Sequence, residues 1–353
     1  MLTLWEGERM AATAHWTAAD TDFPANGSPR DKLGFAVKVA TLGSVVGAGQ
    51  PSWFRITDQF VELSARAQLA GHDSDSAERE AMIYCGTALQ HLKLALRRHG
   101  SLGRVDLFPD LDQPLLAARV HVGCGAARDS YEQQLFDALE VGKASSPRLE
   151  LPASDSAFEF LNRAGTGDRG WLEFARSDSS RQRLLELAQA GTRVQLKEIR
   201  FQNETLARSP DGAWESAGFT GTTLHERFSR WRKPALVAKS APAIASIPDT
   251  RSASESALRN GSFAVLKTKT DNKHGWLAAG QLLARLLLHA RVLGLACTPH
   301  IAVLQNPALR AELRTAIGHK GFTQVILCFA TRQIKCAAQS DPIYPRTVTV
   351  NSA

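Results

Sequence analysis

The sequence predicts a mixed helix-and-strand protein built as two lobes in one chain. Three observations lead there. Apolar residues recur at three- and four-residue intervals in several long segments, as on the buried face of a helix. Short runs rich in β-branched and aromatic residues alternate with those segments. One helical segment is also echoed later in the chain.

Taken in order, residues 1–30 are rich in Ala, Thr, Asp and Gly without periodicity and read as an N-terminal arm. A helix is expected from Pro29 to Leu42, with Leu33, Val37 and Ala40 on one face and Gly43 at its end. "TLGSVVGAGQP" follows as a small-residue loop, then "SWFRI" and "QFVELSA" as strands about a turn at Thr57-Asp58. Ser76 is expected to cap the next helix, whose stripe is Met82, Cys85, Leu89, Leu92 and Leu96, with Gly100 closing it. "GRVDLFP" and "AARVHVG" read as strands, and Ser130 to Leu139 as a helix. In the middle of the chain, "FEFLNRA" is helical, "GWLEFAR" strand-like, and Ser179 to Leu206 a charged amphipathic helix. Residues 208–260, full of Ser, Ala, Gly and Pro, read as a lid or linker. "SFAVLKTKT", "CTPHIAVL" and "TQVILCFA" are strands, with helices over Asn272 to Gly294 and Pro307 to Ile317 and an extended tail.

The echo pairs "GTALQHLKLALRRHG" (Gly86–Gly100) with "GQLLARLLLHARVLG" (Gly280–Gly294). Both open and close with Gly, share Leu at three internal positions and precede a strand. That is the mark of a duplicated unit.

Composition sets limits. The 353 residues are 44% hydrophobic and 22% charged, as in ordinary globular proteins. The longest apolar helix carries Gln281, Arg285, His289 and Arg291, which argues against a membrane span, and the N-terminus has no signal-peptide pattern, so a cytoplasmic address is expected. The net charge of +7 is spread along the chain without a helix-turn-helix, zinc-finger or RNA-binding signature, so small anions are favoured over nucleic acid. The five cysteines, Cys85, Cys124, Cys297, Cys328 and Cys336, form no C-x-x-C pair and read as reduced, mostly buried thiols. No metal site is expected, since the histidines lack ligand spacing.

Motifs are few. "GTGDRG" (Gly165, Gly167, Gly170) has dinucleotide-binding spacing, but a helix pattern precedes it and a strand follows, the reverse of what a pyrophosphate cradle needs; it reads as a turn. No G-x-S-x-G elbow or other basis for a hydrolase appears. Trp276, Leu283, Leu287 and Ala290 form a core stripe. Gln281, polar amid that apolar segment, either faces solvent or meets the polar edge of a ligand.

Three stretches carry a resemblance. "VKVATLGSVVGAGQPSWFRI" resembles the opening of the nitroreductase-like FMN-binding family, in the single-chain, two-lobed (Acg-type) branch, with Ala40–Leu42, Gln50–Pro51 and Phe54 in register. "YCGTALQHLKLALRRHG" is similar to that branch's Cys-Gly-x-Ala-Leu helix, and "WLAAGQLLARLLLHARVLGLACTP" to its Trp-Leu-x-x-Gly-Gln helix and following Gly-Leu turn.

The resemblance implies an α+β nitroreductase-like fold with two pseudo-symmetric lobes, over 31–150 and 151–353. FMN would lie between them, NAD(P)H would serve as reductant and a small molecule as acceptor. The chain would be a monomer imitating the family dimer, or a homodimer. It also implies cofactor-binding roles: Lys38 in place of the family's Arg at the phosphate, Ser44 and Gln50 in the loop, Gln281 on the second helix, Gly294 and Leu295 in the turn approaching the ring, and Arg346 at the phosphate. No catalytic acid or base is implied, because the cofactor carries the chemistry. The departures are concentrated in "SVVGA", where Val45, Gly47 and Ala48 replace the family's Ser, His and Asn. They leave open a second reading, a non-enzymatic protein of the same fold that has lost flavin and serves in binding or interaction.

Overall fold

The computed structural model describes residues 22–42, 52–65, 74–125, 130–140, 155–208, 262–318 and 320–331. The arm, the "SVVGA" loop, most of 208–260 and the C-terminal tail therefore lie outside the described residues, and with them Ser44, Gln50, Arg346 and Cys336.

The chain begins with α1 (Pro29–Leu42), β1 (Ser52–Ile56), β2 (Phe60–Ala65) and α2 (Ser74–Arg98). Then come β3 (Leu102–Leu107), β4 (Leu116–Val122), α3 (Ser130–Glu140), α4 (Asp155–Ala164), β5 (Gly170–Phe174) and α5 (Asp178–Arg208). The last elements are β6 (Ser262–Thr268), α6 (Lys273–Val292), β7 (Leu295–His300), a 3-10 turn (Ala302–Gln305), α7 (Pro307–Ile317) and β8 (Phe322–Thr331). Local chemistry sets several of these boundaries. Ser28 and Asp31 cap α1 reciprocally, Asp31 N–H donating to Ser28 Oγ (3.3 Å) and Ser28 N–H to Asp31 Oδ2 (2.9 Å). Asn272 and Asn306 accept backbone N–H groups at the starts of α6 and α7, and Pro307 opens α7 where a missing N–H costs nothing.

Two expectations need correction. Ser76 lies inside α2, which begins at Ser74; its hydroxyl donates instead to Gln305 O at 3.3 Å, tying the helix to the 3-10 turn. "CTPHIAVL" is not one strand: β7 stops at His300 and the chain tightens into the 3-10 turn, burying Val303 and Leu304. The thiols also divide. Cys85 and Cys328 are buried, but Cys297 is only partly so and Cys124 is exposed. "GTGDRG" is the turn between α4 and β5, with Gly167 and Gly170 bonding each other.

The β-strands form two antiparallel sheets with the same connectivity, β1-β2-β4-β3 and β5-β6-β8-β7. Helices α1 and α2 cover one face of the first sheet, and α6 covers one face of the second. Helices α2 and α6 pack against each other, so one core runs from Val61, Leu63 and Val120 through the α2 stripe and α6 to Leu266, Val325 and Leu327. All five expected stripe residues of α2 are fully buried. The opposite face of the second sheet carries a smaller core, in which Phe263, Val265, Ile326 and Cys328 meet Leu184, Leu187 and Leu313 of α5 and α7.

Candidate functional site

The echoed glycines explain how the two sheets are joined. A Cβ on Gly86 would lie 2.2 Å from Leu277 O and 2.7 Å from the Gly280 Cα. One on Gly280 would lie 1.9 Å from Ile83 O and 2.7 Å from the Gly86 Cα. Each glycine therefore faces the other, and each blocks the carbonyl three residues before its counterpart. Only glycine permits so close a crossing. The closing glycines repeat the symmetry. Gly100 (φ 61°) and Gly294 (φ 68°) are both left-handed and donate to Arg97 O and Arg291 O, each at 3.0 Å.

Around this crossing the symmetry breaks in its side chains. Lys93 of α2 donates to Gln281 Oε1 of α6 at 3.0 Å. Next to them Arg97 pairs with Glu132 of α3, and Arg285 Nη2 donates to Ala164 O, the last carbonyl of α4, at 2.5 Å. Burial, then Arg97 and Arg285, push the Lys93 ammonium down from 10.5 to about 8, with Glu132 opposing. Counting from the paired glycines, the positions equivalent to Lys93, Gln281 and Arg285 are Leu287, Thr87 and His91. Leu287 is apolar and Thr87 is engaged, while His91 is a buried ring whose Nδ1 has no hydrogen-bond partner among the described residues. The Thr87 hydroxyl donates to Tyr84 O at 2.7 Å, and burial and Arg291 push His91 down to about 4, keeping it neutral. One of the two related positions thus carries an ammonium and a carboxamide, the other a neutral imidazole.

Of the seven residues the sequence points to, four are described. Gln281 is at the seam, held by Lys93, so its carboxamide has its oxygen engaged and its Nε2 without a hydrogen-bond partner among the described residues. Gly294 and Leu295 form the exit from the same helix. The Gly294 N–H is already engaged in closing α6, and Leu295 is buried and paired with Thr331 in β7–β8. Lys38 is exposed on α1, apart from that element. Sequence reasoning missed Lys93. The signal was present, since it interrupts the apolar run "LQHLKLAL" much as Gln281 interrupts its own.

A second polar group locks the seam nearer the start of α2. Asp271, just before α6, receives Arg79 in a bidentate pair, the Trp276 indole (2.8 Å) and Gln324 Nε2 (3.0 Å). Arg79 is buried and lies over the Trp276 ring at 4.7 Å. Burial would raise the Asp271 carboxyl, but the hydrogen bonds from Arg79, Trp276 and Gln324 outweigh it and hold the group below the usual range. This cluster is structural. Among the described residues no group of His, Cys, Asp and Glu could hold a metal, and no helix is long and apolar enough to cross a membrane.

Comparison with known proteins finds sequence relatives over most of the chain. No protein-family profile matches the chain. Over 342 residues it is 24% identical to a provisionally assigned NAD(P)H nitroreductase, Rv3131, of Mycobacterium tuberculosis, covering 93% of this chain and 91% of that protein. A second such protein from the same organism, acg, is 24% identical over 299 residues, covering 84% and 88%. The chain is a divergent nitroreductase-like protein. A crystal structure of a Bacteroides fragilis nitroreductase with bound FMN overlaps 62% of this chain and 98% of its own, at 9% identity and a TM-score of 0.31. So loose an overlap adds nothing to the assignment, which stands on the full-length sequence relatives. The nitroreductase-like chain keeps the mixed helix-and-sheet fold expected of it, with the helix pair as its hub.

Proposed function

We propose that this nitroreductase-like protein is an FMN-binding oxidoreductase that uses NAD(P)H to reduce a small acceptor, working as a cytoplasmic protein. The observation that carries the reading is the Lys93–Gln281 pair. Lys93 fixes the Gln281 oxygen and leaves the amide hydrogens free to meet an acceptor atom. A flavin presents such acceptors on its pyrimidine edge and its phosphate, so the donor set fits the group. When bound, FMN supplies hydride acceptance from NAD(P)H and electron delivery to the acceptor. The protein's part is to bind, orient and exclude water. In this reading Gln281 meets the ring edge. Lys38 and Arg346 serve the phosphate, Ser44 and Gln50 line the loop, and Gly294 and Leu295 shape the turn beside the ring. The two lobes are 31–150 and 151–353, each contributing one sheet and one helix of the crossing, with 208–260 as a lid and 1–30 as an arm. The names of the curated relatives support the reductant and the reaction class.

A second reading, a protein of this fold that has lost flavin and acts by binding, is favoured by Val45, Gly47 and Ala48, which replace three hydrogen-bonding side chains. Each such bond contributes about 0.5–1.5 kcal/mol. Anaerobic mixing of FMN-loaded protein with NADH or NADPH separates the two. The oxidoreductase reading expects the visible flavin band to bleach and to recover when a quinone or nitroaromatic is added. A band that no nicotinamide bleaches would overturn it.

A further inference from the structure

Lys93, Arg97 and Arg285 approach one another where α2 and α6 run side by side, with Gln281 among them. Their protein partners are unevenly shared. Arg97 has Glu132 of α3, and Arg285 is committed to Ala164 O of α4. The Lys93 ammonium has three hydrogens and meets, among the described residues, only the neutral carboxamide oxygen of Gln281. That carboxamide brings two further hydrogens, so donors outnumber the one acceptor lone pair left on its oxygen. We propose that the Lys93–Gln281 pair is a binding site for a small oxyanion, a phosphate or carboxylate group. The site accepts no cation, because its one carboxylate is held by Arg97. A negatively charged ligand group compensates the half-buried ammonium, whose charge is costly to remove from water. The charged groups facing Lys93 are Arg97 on its own helix, Arg285 on α6 and Glu132 on α3. Two of the three are cationic, and they depress the ammonium in the same direction as burial does. An oxyanion reverses that balance and holds the proton on Lys93.

The inference does not depend on flavin retention, because the probe is inorganic phosphate, with acetate in a parallel arm to separate phosphate from carboxylate recognition. In full-length protein labelled with 13C-lysine, the Lys93 Cε resonance is followed against pH at constant ionic strength, with and without phosphate. Assignment uses Lys93→Arg. The titration midpoint should lie near about 8 without phosphate, and saturating phosphate should raise it by roughly one unit or more. Lys93→Met should weaken phosphate binding by about tenfold or more near neutral pH, and Gln281→Leu by less. A Lys93 resonance and midpoint that neither anion moves would overturn the proposal, as would a Lys93→Met protein that binds phosphate like the wild type. The resonance of the unmodified chain decides even if a variant fails to fold.

Discussion

The two sheets share one strand order and yet have opposite outer faces. In the first, a row across the sheet reads Arg55, Glu62, Arg119, Asp106, one residue from each strand in register. Glu62 sits between two arginines, with Arg55 Nε and Arg119 Nη2 each 2.7 Å from its carboxylate, and His121 adds to Asp106 at 3.1 Å. The matching row of the second sheet is Glu173, Val265, Ile326, His300. Two of its members are buried under α5 and α7. Beside the first row Trp53 stands 56% exposed. The faces turned toward α2 and α6 are apolar in both sheets. A repeated unit must keep the side that forms the common core; its other side is free to become charged and wet or apolar and covered.

The ends of the seam make the same point. Arg79 and Lys273 stand at equivalent places before their glycines. Arg79 is buried in a bidentate pair with Asp271, whereas Lys273 reaches Glu78 at 2.8 Å near solvent. Removing one partner of a buried pair is the costlier change. Arg79→Ala should lose about 3–5 kcal/mol in urea unfolding, and Lys273→Ala under about 1 kcal/mol. Equal losses would break the contrast. The acid limb adds a check. Asp271 titrates below its unfolded value, so its contribution is present above that value and disappears as pH falls through the lower folded one. Arg79→Ala should therefore flatten the loss of stability on acidification.

Next in size is the crossing itself. Gly280→Ala should cost about 3 kcal/mol or more, since the added methyl meets backbone that must move. Gly86→Ala should behave alike, and the double variant should cost clearly less than the sum, because one separation of the helices relieves both clashes. Strict additivity would show that the two glycines do not share a contact.

The outer faces give a smaller pair of effects. Val265→Glu places a carboxylate between Ile326 and Glu173 under α5, with an expected loss of about 2–3 kcal/mol. Glu62→Val removes a carboxylate that its arginines hold below the usual range despite the opposing burial. The expected cost is about 1 kcal/mol, mostly from leaving Arg119 unmatched. The smallest effect concerns Lys93. Its ammonium is depressed in the folded state, so stability should rise as pH increases from about 8 toward 10.5. Lys93→Met should remove that rise.

Much of the fold could be read from sequence because it is local. Helices α1 and α7 fall on the expected residues, and the α2 stripe is buried as its spacing requires. The echo was legible because the crossing demands glycine, and glycine is visible in a sequence. What escaped was non-local. Ser76 looks like a cap until Gln305 is brought to it, and the Arg79–Asp271 pair spans 192 positions. Lys93 drew no notice because a lysine in a helix is ordinarily solvated; its partner is 188 positions away. Of the site, Gln281 stood out by its polarity, while the meaning of that polarity needed the second helix.

The count of flavins per chain tests the account most directly. Purified protein is incubated with excess FMN, desalted, and its flavin absorbance is compared with its protein concentration. One flank of the helix crossing with an ammonium and a carboxamide, against a second with Leu287, Thr87 and neutral His91, predicts a ratio of about one. A ratio near two would mean that the second flank also binds, and a colourless protein would mean that the fold persists without its cofactor.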